Sequence, residues 1–197
     1  MSIVCVLALQ LVSGAWEEVH KDDALTVERR PVPSGEGRSG LFELRISGHA
    51  TVPPERMFET LWKHEEYEQF VPRLKKMQIL SNDGTVKLLY QQAKMPMVKD
   101  RDYVVRVKKV IDPSARVYET VIETAEGGPP ESDDFVRIKR IRGRWTLSPD
   151  AAGTGTDVVY QIFVDPGESL PPWAVAMGQK SGTPDVVRAM IKRAEGR

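Results

Sequence analysis

Between residues 41 and 52 the chain reads LFELRISGHATV, and Phe42, Leu44, Ile46, Gly48 and Ala50 fall on every second position. A period of two belongs to a strand with one covered face. The same alternation predicts strands over 24–32, 74–81, 85–94, 102–111, 116–125, 135–148 and 155–165. Asn82-Asp83-Gly84, Asp112-Pro113-Ser114 and Gly153-Thr154-Gly155 separate several of them and suit short antiparallel turns.

Two stretches change period. Pro53-Pro54 opens PPERMFETLWKHEEYEQF, where Met57, Phe58, Leu61 and Trp62 form a helical stripe and proline occupies a first turn that needs no N–H. At the other end DPGESLPPWAVAMG leads into a helical pattern that breaks at Ser181-Gly182 and restarts at Thr183-Pro184-Asp185. Val186, Val187, Met190, Ile191 and Ala194 share one face of the second piece. Strands followed by one helix, a meander and a closing helix predict an α+β fold, its twisted antiparallel sheet curled around the last helix.

Parity then sorts the strand residues. We read Tyr90, Gln92, Tyr103, Val105, Val107, Tyr118, Thr120, Ile122, Val158, Tyr160 and Ile162 as inward, and Arg106, Lys108, Glu119, Glu123, Arg137, Lys139 and Asp157 as outward. The outer face thus alternates basic and acidic strands, which neutralise one another. This removes RIKRIRGR (137–144) as a nucleic-acid patch, and 28 Lys and Arg against 28 Asp and Glu leave no basic surplus to replace it. The inward phase changes near Lys139–Arg140, which predicts a β-bulge in one long strand ending through Ile141, Gly143, Trp145 and Leu147.

Composition excludes further chemistry. One cysteine, Cys5, permits no disulfide framework, and His20, His49 and His64 lack ligand spacing, so neither a metal nor a cofactor is predicted. Residues 1–15 carry an uncharged apolar run, Ile3 to Val12, then Ser13-Gly14-Ala15, small residues placed as a leader peptidase requires. The expectation is a signal peptide over 1–15, a domain over 16–197, and a periplasmic or secreted product. No basic residue precedes the run, so a first helix packed on a cytoplasmic domain is the alternative.

The inward set mixes aliphatic residues with hydroxyl and amide tips. Such a face suits either a greasy pocket with a few orienting groups or a packed core whose tyrosines reach backbone or solvent.

Four stretches together resemble a bacterial START (StAR-related lipid-transfer) domain of the Bet v 1-like helix-grip superfamily. They are WEEVHKDDALTVERRPVPSG from Trp16, YEQFVPRL (67–74), KDRDYVVRV (99–107), and FVRIKRIRGRWTLSP followed by DPGESLPPWAVAMG. The resemblance implies a curved sheet gripping the final helix and a monomer that binds and transfers a lipid or other hydrophobic molecule, with transient membrane contact. It implies a cavity lined by the inward set with Trp173, Met177, Val187, Met190 and Ile191. Gly127, Gly128, Pro129 and Pro130 of the 126–134 loop would gate it together with the helix. Arg101, Asp102, Trp145, Asp165, Pro166 and Gly167 would hold the frame. Val105 and Val107 share Tyr103's face, and we read no inward arginine on that strand, which counts against a sterol. Glu168, Gly178 and Gly182 depart from the family pattern around the closing helix.

Two rivals stand beside the carrier. An enzyme of the same fold, cyclase-like or hydrolase-like, would need a base in the pocket, with Glu43, Asp100 and Asp102 as candidates. A scaffold with a filled interior would pack Met177, Val187, Met190 and Ile191 directly on the strands.

Overall fold

A computed structural model of the chain describes residues 14–32, 40–167, 170, 173 and 182–197. Within them ten strands form one sheet: β1 (Glu17–Lys21), β2 (Leu25–Pro31), β3 (Phe42–Ala50), β4 (Leu74–Asn82), β5 (Val86–Ala93), β6 (Arg101–Asp112), β7 (Val117–Thr124), β8 (Val136–Arg137), β9 (Arg140–Pro149) and β10 (Thr156–Asp165). The spatial order is β1-β2-β3-β10-β9-β7-β6-β5-β4. Neighbours on that path are antiparallel, and β8 alone runs parallel, beside β6.

One face of the sheet is continuous across strands. Opposed residues run Thr120–Trp145–Tyr160–Ile46–Val27 in one row and Val107–Ile122–Gly143–Ile162–Leu44 in the next. Covering this face are α1 (Pro54–Trp62), a 3₁₀ turn (His64–Gln69) and α2 (Thr183–Ala194). α1 buries Met57, Phe58 and Leu61, and α2 buries Val187, Met190, Ile191 and Ala194. The antiparallel α+β fold with its terminal helix is the expected one.

The single helix expected over 53–70 is two pieces. Lys63 leaves helical geometry at ψ 62°. The buried Lys87 ammonium donates to the Trp62 carbonyl at 2.6 Å, and His64 Nδ1 donates to the same oxygen at 3.1 Å. Side chains thus satisfy the last carbonyl and end the helix there.

The long strand with a bulge is likewise two strands. Ile138 and Lys139 separate β8 from β9, and β8 leaves its antiparallel course to pair with β6. The charge alternation survives with different members. Arg106 opposes Glu123, which opposes Arg142 on β9, while Arg144 meets Glu119 at 2.7 Å. Arg137 keeps its outward place but is mostly covered there, paired with the buried Asp102.

Candidate functional site

The helices do not close fully on the sheet. Between them lies a cavity of about 370 Å³ whose floor is the concave face. Of the expected lining, Tyr103, Val105, Val107, Thr120, Ile122, Tyr160, Ile162 and Met190 are there. The signature pattern that places Arg101 at the start of β6 also places it on Tyr103's face, two residues away. Arg101 is 3% exposed and lines the cavity, so the reading that this strand sends no arginine inward is corrected. Trp145 and Pro166, expected as frame residues, line it as well.

Tyr90 and Gln92 are misassigned by one residue. β5 turns Leu89, Gln91 and Ala93 to the cavity. On its other face the Tyr90 hydroxyl donates to Asp102 at 3.0 Å and Gln92 Nε2 donates to the Tyr90 oxygen at 3.0 Å. Leu88, Leu89 and Tyr90 are consecutive, so apolar character could not set the parity, and a one-residue slip exchanges the faces.

Tyr118 has the expected parity but lies beneath α1, its ring 5.2 Å from Phe58, outside the cavity. On α2 the apolar face divides. Val186 and Met190 border the void, while Val187 and Ile191 pack into the core, so the cavity-lining assignment of those two is corrected. Trp173 is 43% exposed and does not line the cavity. Met177, Glu168, Gly178 and the 1–13 segment lie outside the described residues.

The loop expected to gate the mouth sits on the convex face. A Cβ on Gly128 would come 2.2 Å from Val104 Cγ2, so the backbone passes directly over that outward side chain and only glycine fits. Pro129 presents its carbonyl to Arg137 Nη2 at 3.0 Å. Arg137 also grips Asp102 with bonds of 2.9 and 2.8 Å. Gly127, Gly128, Pro129 and Pro130 therefore do not line the cavity. Only the return leg reaches the rim: Ile138 borders the void, and Val136 lies under Gly167 of the Asp165-Pro166-Gly167 turn.

The interior chemistry is weakly polar. The Tyr103 hydroxyl donates to Gln91 Oε1 at 2.9 Å, and burial pushes its pKa up to about 12. Tyr160 stacks on Trp145 with ring centres 4.1 Å apart, and burial holds its phenol well above the ordinary value. His64, which pattern reading passed over as incidental, lines the cavity beside Tyr67. Burial, with the Lys87 ammonium adding to it, lowers its pKa to about 3 and leaves a neutral ring. Its place on the 3₁₀ turn, inside an acidic HEEYEQ run, gave no periodic signal.

None of the carboxylates that could have supported catalysis faces this space. Glu43 pairs with Arg30 at 2.7 Å, Asp100 with Lys75 at 2.8 Å, and Asp102 with Arg137. Among the described residues no cluster of His, Cys, Asp or Glu could hold a metal ion.

Comparison with known proteins agrees with this geometry. The START domain family model matches residues 4–196. Phosphatidylcholine transfer protein of Bos taurus is 23% identical over 190 residues, covering 92% of this chain and 85% of its own. A crystal structure of the StAR-related lipid transfer protein of Xanthomonas axonopodis superposes with a TM-score of 0.78 at 23% identity, covering 91% of this chain and 98% of that one. The Zhui aromatase/cyclase of Streptomyces shares the fold more distantly, with a TM-score of 0.58 at 17% identity over 79% of this chain and 94% of that one. With the family model spanning nearly all of its length, the chain belongs to the START domain family.

Proposed function

We propose that the chain is a non-enzymatic carrier that shields a lipid inside the cavity and exchanges it with membranes. The observation that carries this reading is the void of about 370 Å³, floored by aliphatic and aromatic side chains and left unfilled by α2. Burial supplies the binding energy: about 0.8 kcal/mol per methylene, hence on the order of 11 kcal/mol for fourteen, less the chain's lost freedom. Lipid-binding relatives in the same family support it, and the bovine relative is named for phosphatidylcholine transfer.

We assign gating to the Asp165-Pro166-Gly167 turn and the amino end of α2. Pro166, Leu170, Gly182 and Thr183 border the mouth together with Met95 and Pro96. Met97, 84% exposed at φ 61°, projects from that same rim and suits transient membrane contact by a monomer.

A cyclase or hydrolase reading would need a competent base. His64 is the titratable lining group nearest to that role, and a pKa of about 3 makes it a weak acceptor at neutral pH. We further place the mature chain after Ala15, in the periplasm or outside the cell. Trp16 supports this, being held under the guanidinium groups of Arg30 and Arg45 at 4.4 and 4.5 Å, so the fold grips the chain just past Ala15. Amino-terminal sequencing after cell fractionation checks it; an intact Met1 on cytoplasmic protein overturns it.

The carrier reading is tested by native mass spectrometry of purified protein and by transfer of fluorescent lipid between vesicles. Bound lipid and protein-dependent transfer are expected. A lipid-free protein that moves none defeats the proposal.

A further inference from the structure

We propose that the ligand carries an uncharged oxygen acceptor, a carbonyl or a hydroxyl, seated inside the cavity on the Tyr160 hydroxyl, which makes Tyr160 the residue that selects it. The assignment deepens the carrier reading and rests on it.

Of the described residues that line the cavity, three are phenols: Tyr67, Tyr103 and Tyr160. Tyr67 donates its proton to the Leu61 carbonyl at 2.5 Å, and Tyr103 donates its own to Gln91 Oε1 at 2.9 Å. Tyr160 differs. Among the described residues its hydroxyl meets no hydrogen-bond partner, and only burial and the neighbouring Tyr103 phenol raise its pKa. The oxygen is not sealed inside protein either, so the free donor opens on the void. Stacking on Trp145, with ring centres 4.1 Å apart and planes 17° from parallel, holds the ring in that place.

The position is remote from the mouth. β10 lines the cavity with Tyr160, Ile162 and Val164, and the chain meets the rim at Pro166. Six residues at about 3.3 Å each put Tyr160 roughly 20 Å from Pro166 along the strand. Across the sheet Tyr160 stands in one row with Trp145 and Thr120. Its phenol also adds to the rise in Tyr67's pKa, which places the 3₁₀ turn over the same inner end.

An unmet donor at that depth lacks the hydrogen bond that water gives it in the unfolded chain. Water can satisfy it while the cavity is empty. A ligand that displaces this water must return the hydrogen bond or forfeit it, so binding favours a molecule with an acceptor at that level. The acceptor is uncharged, because burial raises the pKa of all three phenols, that of Tyr103 to about 12. What disfavours a phenolate in this space disfavours a carboxylate or phosphate there too. The same rise keeps the Tyr160 proton in place as a donor at neutral pH. A carbonyl or a hydroxyl meets both conditions.

The test uses delipidated full-length protein and three probes of one chain length: 2-undecanone, 1-undecanol and 1-undecene. They differ in their own hydration, so each is compared with itself across Tyr160→Phe, which keeps a ring on Trp145. The ketone and the alcohol should bind the variant about three- to tenfold more weakly and the alkene equally well, with circular dichroism confirming the fold. Whichever oxygen loses more names the acceptor as carbonyl or hydroxyl, and either order upholds the site. Infrared spectra of 2-undecanone labelled with carbon-13 at its carbonyl give a second reading. In wild-type protein the bound carbonyl should absorb at lower frequency than in hexane, and in Tyr160→Phe it should move back. Equal change for all three probes, or a lowered band that survives in the folded variant, overturns the acceptor site while the carrier reading stands. Should the variant not fold, the wild-type band decides, and one that matches hexane overturns the site. Failure of all three probes to bind overturns the carrier reading itself.

Discussion

Arg137 and Asp102 form a two-point clasp, 2.9 and 2.8 Å, buried on the convex face between β6, β8 and the loop above them. The same carboxylate takes the Tyr90 hydroxyl, and the same guanidinium takes the Pro129 carbonyl. One ion pair thus ties together β5, β6, β8 and the 126–134 loop. Removing one partner strands the other without water. Asp102→Ala or Arg137→Ala should destabilise the fold by about 3–5 kcal/mol, whereas Asp102→Leu with Arg137→Met should recover much of the loss. Urea denaturation of the three variants measures this; equal losses in the single and double variants would show that the pair itself stabilises.

The cavity can be filled without touching its rim. Ile122 lies mid-floor and lines the void, opposite Gly143, whose missing side chain makes way for Ile162: a Cβ there would come 2.7 Å from Ile162 Cδ1. Ile122→Trp should enter the void at little cost to stability and lower lipid affinity about tenfold or more. Binding titration and thermal melting read the two effects separately. Unchanged affinity in a folded Ile122→Trp protein would show that ligand lies elsewhere.

How much of this was legible in the sequence depended on whether one face was wet. β6 alternates Tyr103, Val105 and Val107 with Arg106 and Lys108, and its parity was read correctly there. At its other end Asp102 and Val104 are buried on the outer face by the 126–134 loop, so both sides of β6 and β5 carry apolar or paired residues and alternation loses its meaning. Arg101 belonged to the legible set and was missed because its charge argued against an inward place. The break between β8 and β9 was visible as a phase change at Lys139–Arg140. What it does, handing the chain to a parallel pairing with β6, depends on residues 35 positions apart and leaves no local pattern. Val187 and Ile191 share a helix face with Met190, but only tertiary packing decides which part of that face meets void.

His64 makes stability depend on pH. Its folded pKa, about 3, lies below the unfolded value of 6.5, so the fold favours the neutral ring. That contribution is complete above pH 6.5 and is lost progressively as pH falls toward 3. At about 1.36 kcal/mol per unit it reaches roughly 4–5 kcal/mol at the acid end. Lys87 faces the ring from β5 and disfavours its protonation further, while the hydrogen bond to the Trp62 carbonyl opposes the shift. His64→Gln should flatten the urea midpoint between pH 6.5 and 4.5. The carboxylate of Glu55, held down to about 2 by Arg116, adds its own loss only below its ordinary value of 4.5. A wild-type midpoint that is level from pH 6.5 to 4.5 would exclude His64 as the cause.

α2 is pinned at its far end by ion pairs that the opening of the cavity would have to release or swing about. Arg188 meets Asp22 in the β1–β2 turn, Arg193 meets Glu66 on the 3₁₀ turn at 2.8 Å, and the Thr51 amide donates to Glu195 at 2.8 Å. The near end, at Gly182 and Thr183, borders the mouth and carries no side-chain cap. On the gating proposed above, opening starts at the amino end and must release these pairs as it spreads along α2. Pairs at partly exposed sites contribute about 0.2–1 kcal/mol each, which corresponds to a factor of roughly 1.5 to 5 in an opening equilibrium. Arg188→Gln and Arg193→Gln should therefore speed vesicle-to-vesicle transfer by that factor apiece, with little change in equilibrium affinity for lipid. Both should lose their effect in high salt, where the wild-type pairs are themselves screened. A melting temperature that falls while transfer stays constant would assign the pairs to stability alone and move the hinge elsewhere.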